Sequence, residues 1–108
     1  MSRLPCLVLI AVLGFAAPGL QAGEEPRVII QEYKFIPQHI ESRVGETLVW
    51  ENREKRQYHS IWFESLDAEE PDYIFPEETW ERKFDQAGTF EYRCGPHPEM
   101  TGTVTVVE

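Results

Sequence analysis

The chain is poor in cysteine and in positive charge. Among 108 residues there are 2 cysteines, and 10 lysines and arginines stand against 19 aspartates and glutamates, a formal charge of −9. So acidic a surface repels a phosphate backbone and excludes nucleic acid as a partner, while it suits proteins of opposite charge. Long apolar runs are scarce as well. The one candidate, Leu4 to Ala17, is interrupted by Pro5 and Gly14 and falls short of the roughly 20 residues that a membrane-spanning helix needs. No stretch keeps a helical period, and there are no internal repeats, linkers or low-complexity tracts.

That interrupted run has another reading. MSRLPCLVLIAVLGFAAPGLQAGEEP carries an early Arg3, an apolar stretch and a small-residue ending at Gln21-Ala22, followed by the charged Gly23-Glu24-Glu25. This is the pattern of a secretory signal peptide, residues 1–22, removed after Ala22 to leave residues 23–108 as one domain in the periplasm. Cys6 stands at the start of the apolar run rather than its end, which argues against a lipoprotein. Cleavage would remove Cys6 and leave Cys94 alone. Small exported domains ordinarily lean on disulfides because their cores are marginal, and a single thiol cannot form one within its own chain. A lone exported thiol is an intermolecular crosslink, a reactive group or a metal ligand.

What remains is rich in short alternating segments. PRVIIQEY (26–33), HIESRV (39–44), ETLVWEN (46–52), QYHSIWF (57–63), ETWERKF (78–84), GTFEYRC (88–94) and TGTVTVV (101–107) predict seven strands separated by turn residues. Such spacing is that of an all-β antiparallel sandwich or barrel. Its inward face would hold Ile30, Leu48, Trp50, Ile61, Phe63, Phe84, Phe90, Tyr92, Val104 and Val106. REKR (53–56) reads as a charged turn, and the acidic, proline-punctuated stretch from Glu64 to Glu78 as a loop. Cys94 continues the parity of Phe90 and Tyr92, which aims it at the core end of the sandwich.

The segment FEYRCGPHPEM (90–100) places Cys94, His97 and Met100 at three-residue intervals, and His59 lies upstream on an inward parity. Taken singly, a buried cysteine is usually a small hydrophobe, a methionine is usually core and a strand histidine is usually a satisfied neutral residue. Together, two imidazoles, one thiolate and one thioether are the donor set of a blue-copper electron-transfer centre. Zinc suits Cys and His, but a thioether is a poor zinc ligand. Pro96 and Pro98 fix the backbone on either side of His97 and lower the entropy lost on ordering the loop. They also leave the Gly95 and His97 N–H groups among the few donors near the sulfur. His39 is expected at the surface.

These residues resemble those of the cupredoxins, the type 1 blue copper proteins, and the contracted CxxHPxM loop, here CGPHPEM, is similar to the amicyanin branch of that family. The likeness runs over residues 35–63 and 87–108. It implies a Greek-key β-sandwich and one type 1 copper bound by His59, Cys94, His97 and Met100. It also implies a one-electron carrier that lets electrons leave at His97. The acidity points to redox partners with basic docking surfaces, and the protein is expected to be a monomer and not an enzyme. The alternative function is a periplasmic copper carrier or store; a Cys94 nucleophile is the reading least supported, since nothing supplies an oxyanion arrangement. Three departures stand out. The asparagine that commonly follows the first ligand histidine is Ser60, and its usual hydroxyl-bearing partner after the cysteine is Gly95, so the family's brace on the ligand loop is altered at both ends. Glu99 puts a carboxylate beside His97, which should favour Cu(II) and lower the potential. The third is the acidity of residues 64–78, with Trp62, Tyr73 and Phe75 among or beside the charges.

Overall fold

The computed structural model describes residues 25–108, so the leader read at 1–22 lies outside the described residues. Seven strands form in chain order: β1 (Arg27–Gln31), β2 (Lys34–Ile36), β3 (His39–Arg43), β4 (Thr47–Asn52), β5 (Thr79–Lys83), β6 (Gly88–Arg93) and β7 (Thr101–Val107). They build two sheets, one ordered β2-β1-β4-β5 and the other β3-β7-β6, and among the described residues there is no helix. The β-sandwich is as the alternation predicts. Its pairing is mixed, however: β1 runs parallel to β4 and β3 parallel to β7, while the remaining pairs are antiparallel.

Between the sheets lies a core whose members come from the expected parity. Val28 and Ile30 of β1, Leu48 and Trp50 of β4, Tyr92 of β6 and Val104 and Val106 of β7 are all buried, as are Ile61, Phe63 and Phe84. Phe90 is only partly covered and packs on the rim. Trp50 is the hub: its ring meets Phe63, Trp80 and Tyr92 edge-on at centroid distances of 6.1, 5.4 and 5.6 Å, the geometry in which a ring's positive edge faces a negative π face. Tyr92 lies opposite Gly102 in the β6–β7 ladder, where a side chain at position 102 would collide with the phenol ring. A glycine inside a strand is therefore required at this point.

Two expectations need correcting. The strand expected over 26–33 ends at Gln31: the chain turns at Glu32 and Tyr33, at φ 54° and 60°, and runs back as β2. That is the two-residue hairpin geometry that usually selects Asn-Gly, made here by residues that adopt it at a cost. Residues 57–63 do not form a strand. They touch the rest of the sandwich through isolated bridges at His59–Ile74 and Trp62–Arg93. Their alternation still places His59, Ile61 and Phe63 inward, but Ser60 is also fully buried. At its middle the segment is therefore covered on both sides, by the core on one and by the acidic loop at Glu70 on the other.

Candidate metal centre

The site forms at one end of the sandwich, where the 57–63 segment passes the loop joining β6 to β7. Cys94 follows directly from the last residue of β6, and Met100 immediately precedes β7. The loop is closed by its own backbone: Cys94 N–H donates to the Met100 carbonyl at 3.0 Å, and Met100 N–H to the His97 carbonyl at 2.9 Å. From β6, the Arg93 guanidinium donates to the Cys94 and Gly95 carbonyls, each at 3.1 Å, while it pairs with Glu64 and stacks on Trp62 at 4.8 Å. His59, Cys94 and Met100 are buried, and His97 is partly exposed. His39 lies on the surface, as expected.

Each histidine turns Nδ1 toward the sulfur. Cys94 Sγ is 3.5 Å from His59 Nδ1 and 3.5 Å from His97 Nδ1, and the two nitrogens are 3.2 Å apart. A point equidistant from these three atoms lies about 2.0 Å from each, which matches a metal–imidazole bond of about 2.0–2.1 Å and approaches the roughly 2.3 Å of a metal–thiolate bond. The donor set therefore fits a single transition-metal ion. One thiolate and two imidazoles with a thioether held alongside select copper rather than a hard cation, and His59, Cys94, His97 and Met100 are positioned for copper binding.

In the metal-free protein the surroundings favour the neutral forms of Cys94 and His59. Burial pushes the Cys94 thiol up from its ordinary value, against the backbone N–H groups of Ser60 and His97, which favour the thiolate. Burial likewise pushes His59 down, although the Glu54 carboxylate pulls the other way. Ser60 N–H reaches the sulfur at 3.4 Å. Of the two loop donors that the sequence suggested, His97 serves the sulfur, whereas Gly95 N–H donates instead to Ser60 Oγ at 2.8 Å. Ser60 Oγ in turn donates to Glu70 at 2.8 Å.

Three contributors were not legible in the sequence. Glu54, within the supposed charged turn, accepts the Nε2 proton of His59 at 2.9 Å, which fixes the tautomer that leaves Nδ1 free to bind a metal. The same carboxylate accepts the backbone N–H groups of Glu32 and Tyr33 at 3.2 and 2.8 Å. It thus ties the strained β1–β2 turn to a ligand. Against the desolvation it suffers, these donors together with His59 hold the Glu54 carboxyl below its usual range. Asn52, fully buried at the end of β4, sets Glu54 in place: its side-chain oxygen accepts Glu54 N–H at 2.8 Å and its amide donates to the Gln57 and Ile74 carbonyls. Tyr33 covers both imidazoles edge-on, with its ring centroid 5.6 Å from His59 and 4.8 Å from His97. A glutamate among arginines and lysines gives no sequence signal for such a role. The only hint is an asparagine at the inward end of a strand, where an apolar residue would be expected.

A two-sheet sandwich with a Cys-His-Met loop at one end and a second histidine from a crossing segment defines a small mononuclear copper protein. A family model described as a cupredoxin-like domain matches residues 5–106, and the chain belongs to that family. It is 32% identical to amicyanin-alpha of Methylorubrum extorquens over 89% of this chain and 87% of that protein. To the amicyanin of Paracoccus denitrificans it is 34% identical over 73% of this chain and 63% of that protein, and to the plastocyanin of Scenedesmus fuscus 35% over 67% and 85%. Among solved structures it is similar to an amicyanin variant in the Cu(I) state (TM-score 0.69, 27% identity, 76% of this chain and 81% of that one). An oxidized amicyanin variant superposes as well (TM-score 0.70, 28% identity, 75% and 80%).

Proposed function

We propose that the protein is an exported, monomeric one-electron carrier that holds one type 1 copper through His59, Cys94, His97 and Met100, with residues 23–108 as its single domain. The observation that carries this reading is the triangle of Sγ and two Nδ1 atoms, sized for one metal ion. Copper, when bound, supplies a couple between Cu(I) and Cu(II). The chain's own residues orient the donors and exclude water: Glu54 fixes the His59 ring, the Cys94–Met100 and His97–Met100 backbone bonds fix the loop, and Tyr33 shields both rings. His97 is the partly exposed member of the donor set, which makes its ring edge the point where a partner comes closest. We assign no catalytic step.

The acidic segment supports docking of a partner with a basic surface. Tyr58 and Tyr73 stack at 4.6 Å and Phe75 leans on Tyr58 at 5.6 Å, all three exposed beside Glu69 and Asp72. An apolar anchor ringed by one sign of charge steers encounter electrostatically and then excludes water. Electron-transfer rates with a basic partner should fall as salt rises.

The deciding experiment adds one equivalent of Cu(II) to the purified protein beside a Cys94→Ser control, and records visible absorption and EPR spectra. An intense thiolate-to-copper band with narrow hyperfine splitting, absent from the control, is expected. A colourless product, or oxidation of the thiol, would overturn electron transfer and leave Cu(I) carriage as the better account.

A further inference from the structure

Glu70 belongs to the acidic segment, but its carboxylate lies against Ser60 and Gly95 at the copper loop. Two hydrogen bonds run in series: Gly95 N–H donates to Ser60 Oγ at 2.8 Å, and Ser60 Oγ–H donates to Glu70 Oε2 at 2.8 Å; beside them, Ser60 N–H donates to Cys94 Sγ at 3.4 Å. A hydroxyl can rotate, and its proton follows the strongest acceptor; an ionised carboxylate is that acceptor. With its proton committed to Glu70, Ser60 Oγ presents a lone pair to the Gly95 amide. The arrangement also explains the glycine. A methyl group at position 95 would land on the Glu70 carboxylate, so the residue after the ligand cysteine must be small for the carboxylate to sit there. Ser60 and Gly95, which look on sequence like two losses from one brace, are two parts of another.

Resting on the copper reading above, we propose that Glu70 is a positioning residue for the metal centre: it closes a Gly95–Ser60–Glu70 relay that clamps the cysteine loop to the His59 segment, and its charge biases the centre toward the oxidised state. The two roles separate on substitution. Glu70→Gln keeps an oxygen that can accept the Ser60 proton but removes the charge, whereas Glu70→Ala removes both.

The test uses the full chain in two states, with amide hydrogen exchange on the metal-free protein and potentiometry with EPR on the copper-loaded one. In the metal-free protein, Glu70→Ala should speed exchange of the Gly95 amide by about tenfold, the order expected for losing one charge-assisted tie, while Glu70→Gln stays near wild type. In the loaded protein, Glu70→Gln should favour Cu(I) by about tenfold, equivalent to about 59 mV for one electron, with its EPR spectrum unchanged. Gly95→Ala, which displaces the carboxylate without removing it, should move the potential in the same direction. Unchanged Gly95 exchange in Glu70→Ala overturns the clamp, and a Glu70→Gln potential at or below wild type overturns the charge bias. If the chain takes up no copper, the exchange arm still decides the clamp, so that failure is told apart from failure of the copper reading itself.

Discussion

His59 and His97 carry the same ring and turn the same atom toward the same sulfur, yet the regions that hold them work by different means. The His59 segment is embedded: its ring is fully buried, its far nitrogen is bonded to Glu54, and Glu54 is fixed by Asn52 and by two backbone amides of the β1–β2 turn. The His97 loop is held mainly by short-range bonds among Cys94, His97 and Met100 and by prolines on either side, with a single tie from Gly95 to Ser60, and its histidine is partly exposed. One region supplies rigidity from distant parts of the chain; the other supplies access. A centre that must stay fixed and still meet a partner divides these demands between two ligands rather than compromising within each.

The sharpest way to break this contrast is to remove each ring. His59→Gly and His97→Gly should both abolish the thiolate-to-copper band, but added imidazole should restore it only in His97→Gly, because only that cavity opens to solvent; equal rescue in a spectroscopic titration would show that burial does not separate the two. A smaller effect is expected at the carboxylate behind the buried ring. Glu54→Gln should weaken copper binding by about 10- to 100-fold in chelator competition, and should do so without altering the surface around His97.

The metal-free protein should next show a bounded pH range. His59 has its folded value lowered from 6.5, so below that pH the unfolded chain binds more protons and stability falls. Glu54, lowered from 4.5, extends the loss at more acid pH. Cys94 has its folded value raised from 9.0, so above that pH the unfolded chain ionises first and stability falls again. Thermal melts across this range should peak between 6.5 and 9.0; an acid limb that persists unchanged in His59→Gln would assign it to other groups. The smallest effect is expected at Glu99, which sits beside His97 but is exposed. Water screens an exposed charge, so Glu99→Gln should raise the potential, but by less than Glu70→Gln.

The four donors were legible because each announces itself locally. Cys94 inherits the parity of Phe90 and Tyr92, His97 and Met100 follow at fixed intervals, and His59 shares its inward face with Ile61 and Phe63. The core was legible for the same reason, since period-2 alternation survives translation into buried faces. What the alternation could not reveal was pairing. It does not distinguish a strand from the extended 57–63 segment, which bridges at only two points, nor a parallel ladder from an antiparallel one. Glu54 and Glu70 were hidden by a different cause. Each acts through partners far along the chain, Tyr33 and His59 for one, Ser60 and Gly95 for the other, and each sits in a run of charges where the ordinary fate of a glutamate is to face water.

Cys94 has no exposed surface. Two copies of the protein cannot bring their sulfurs into bonding distance without opening their cores, so the thiol is closed to dimer formation through oxidation. Peroxide and small disulfides meet the same obstacle, because the climb from thiolate to sulfenic and sulfinic acid follows exposure. Buried in this way, Cys94 is protected from oxidants and its sulfur stays chemically intact.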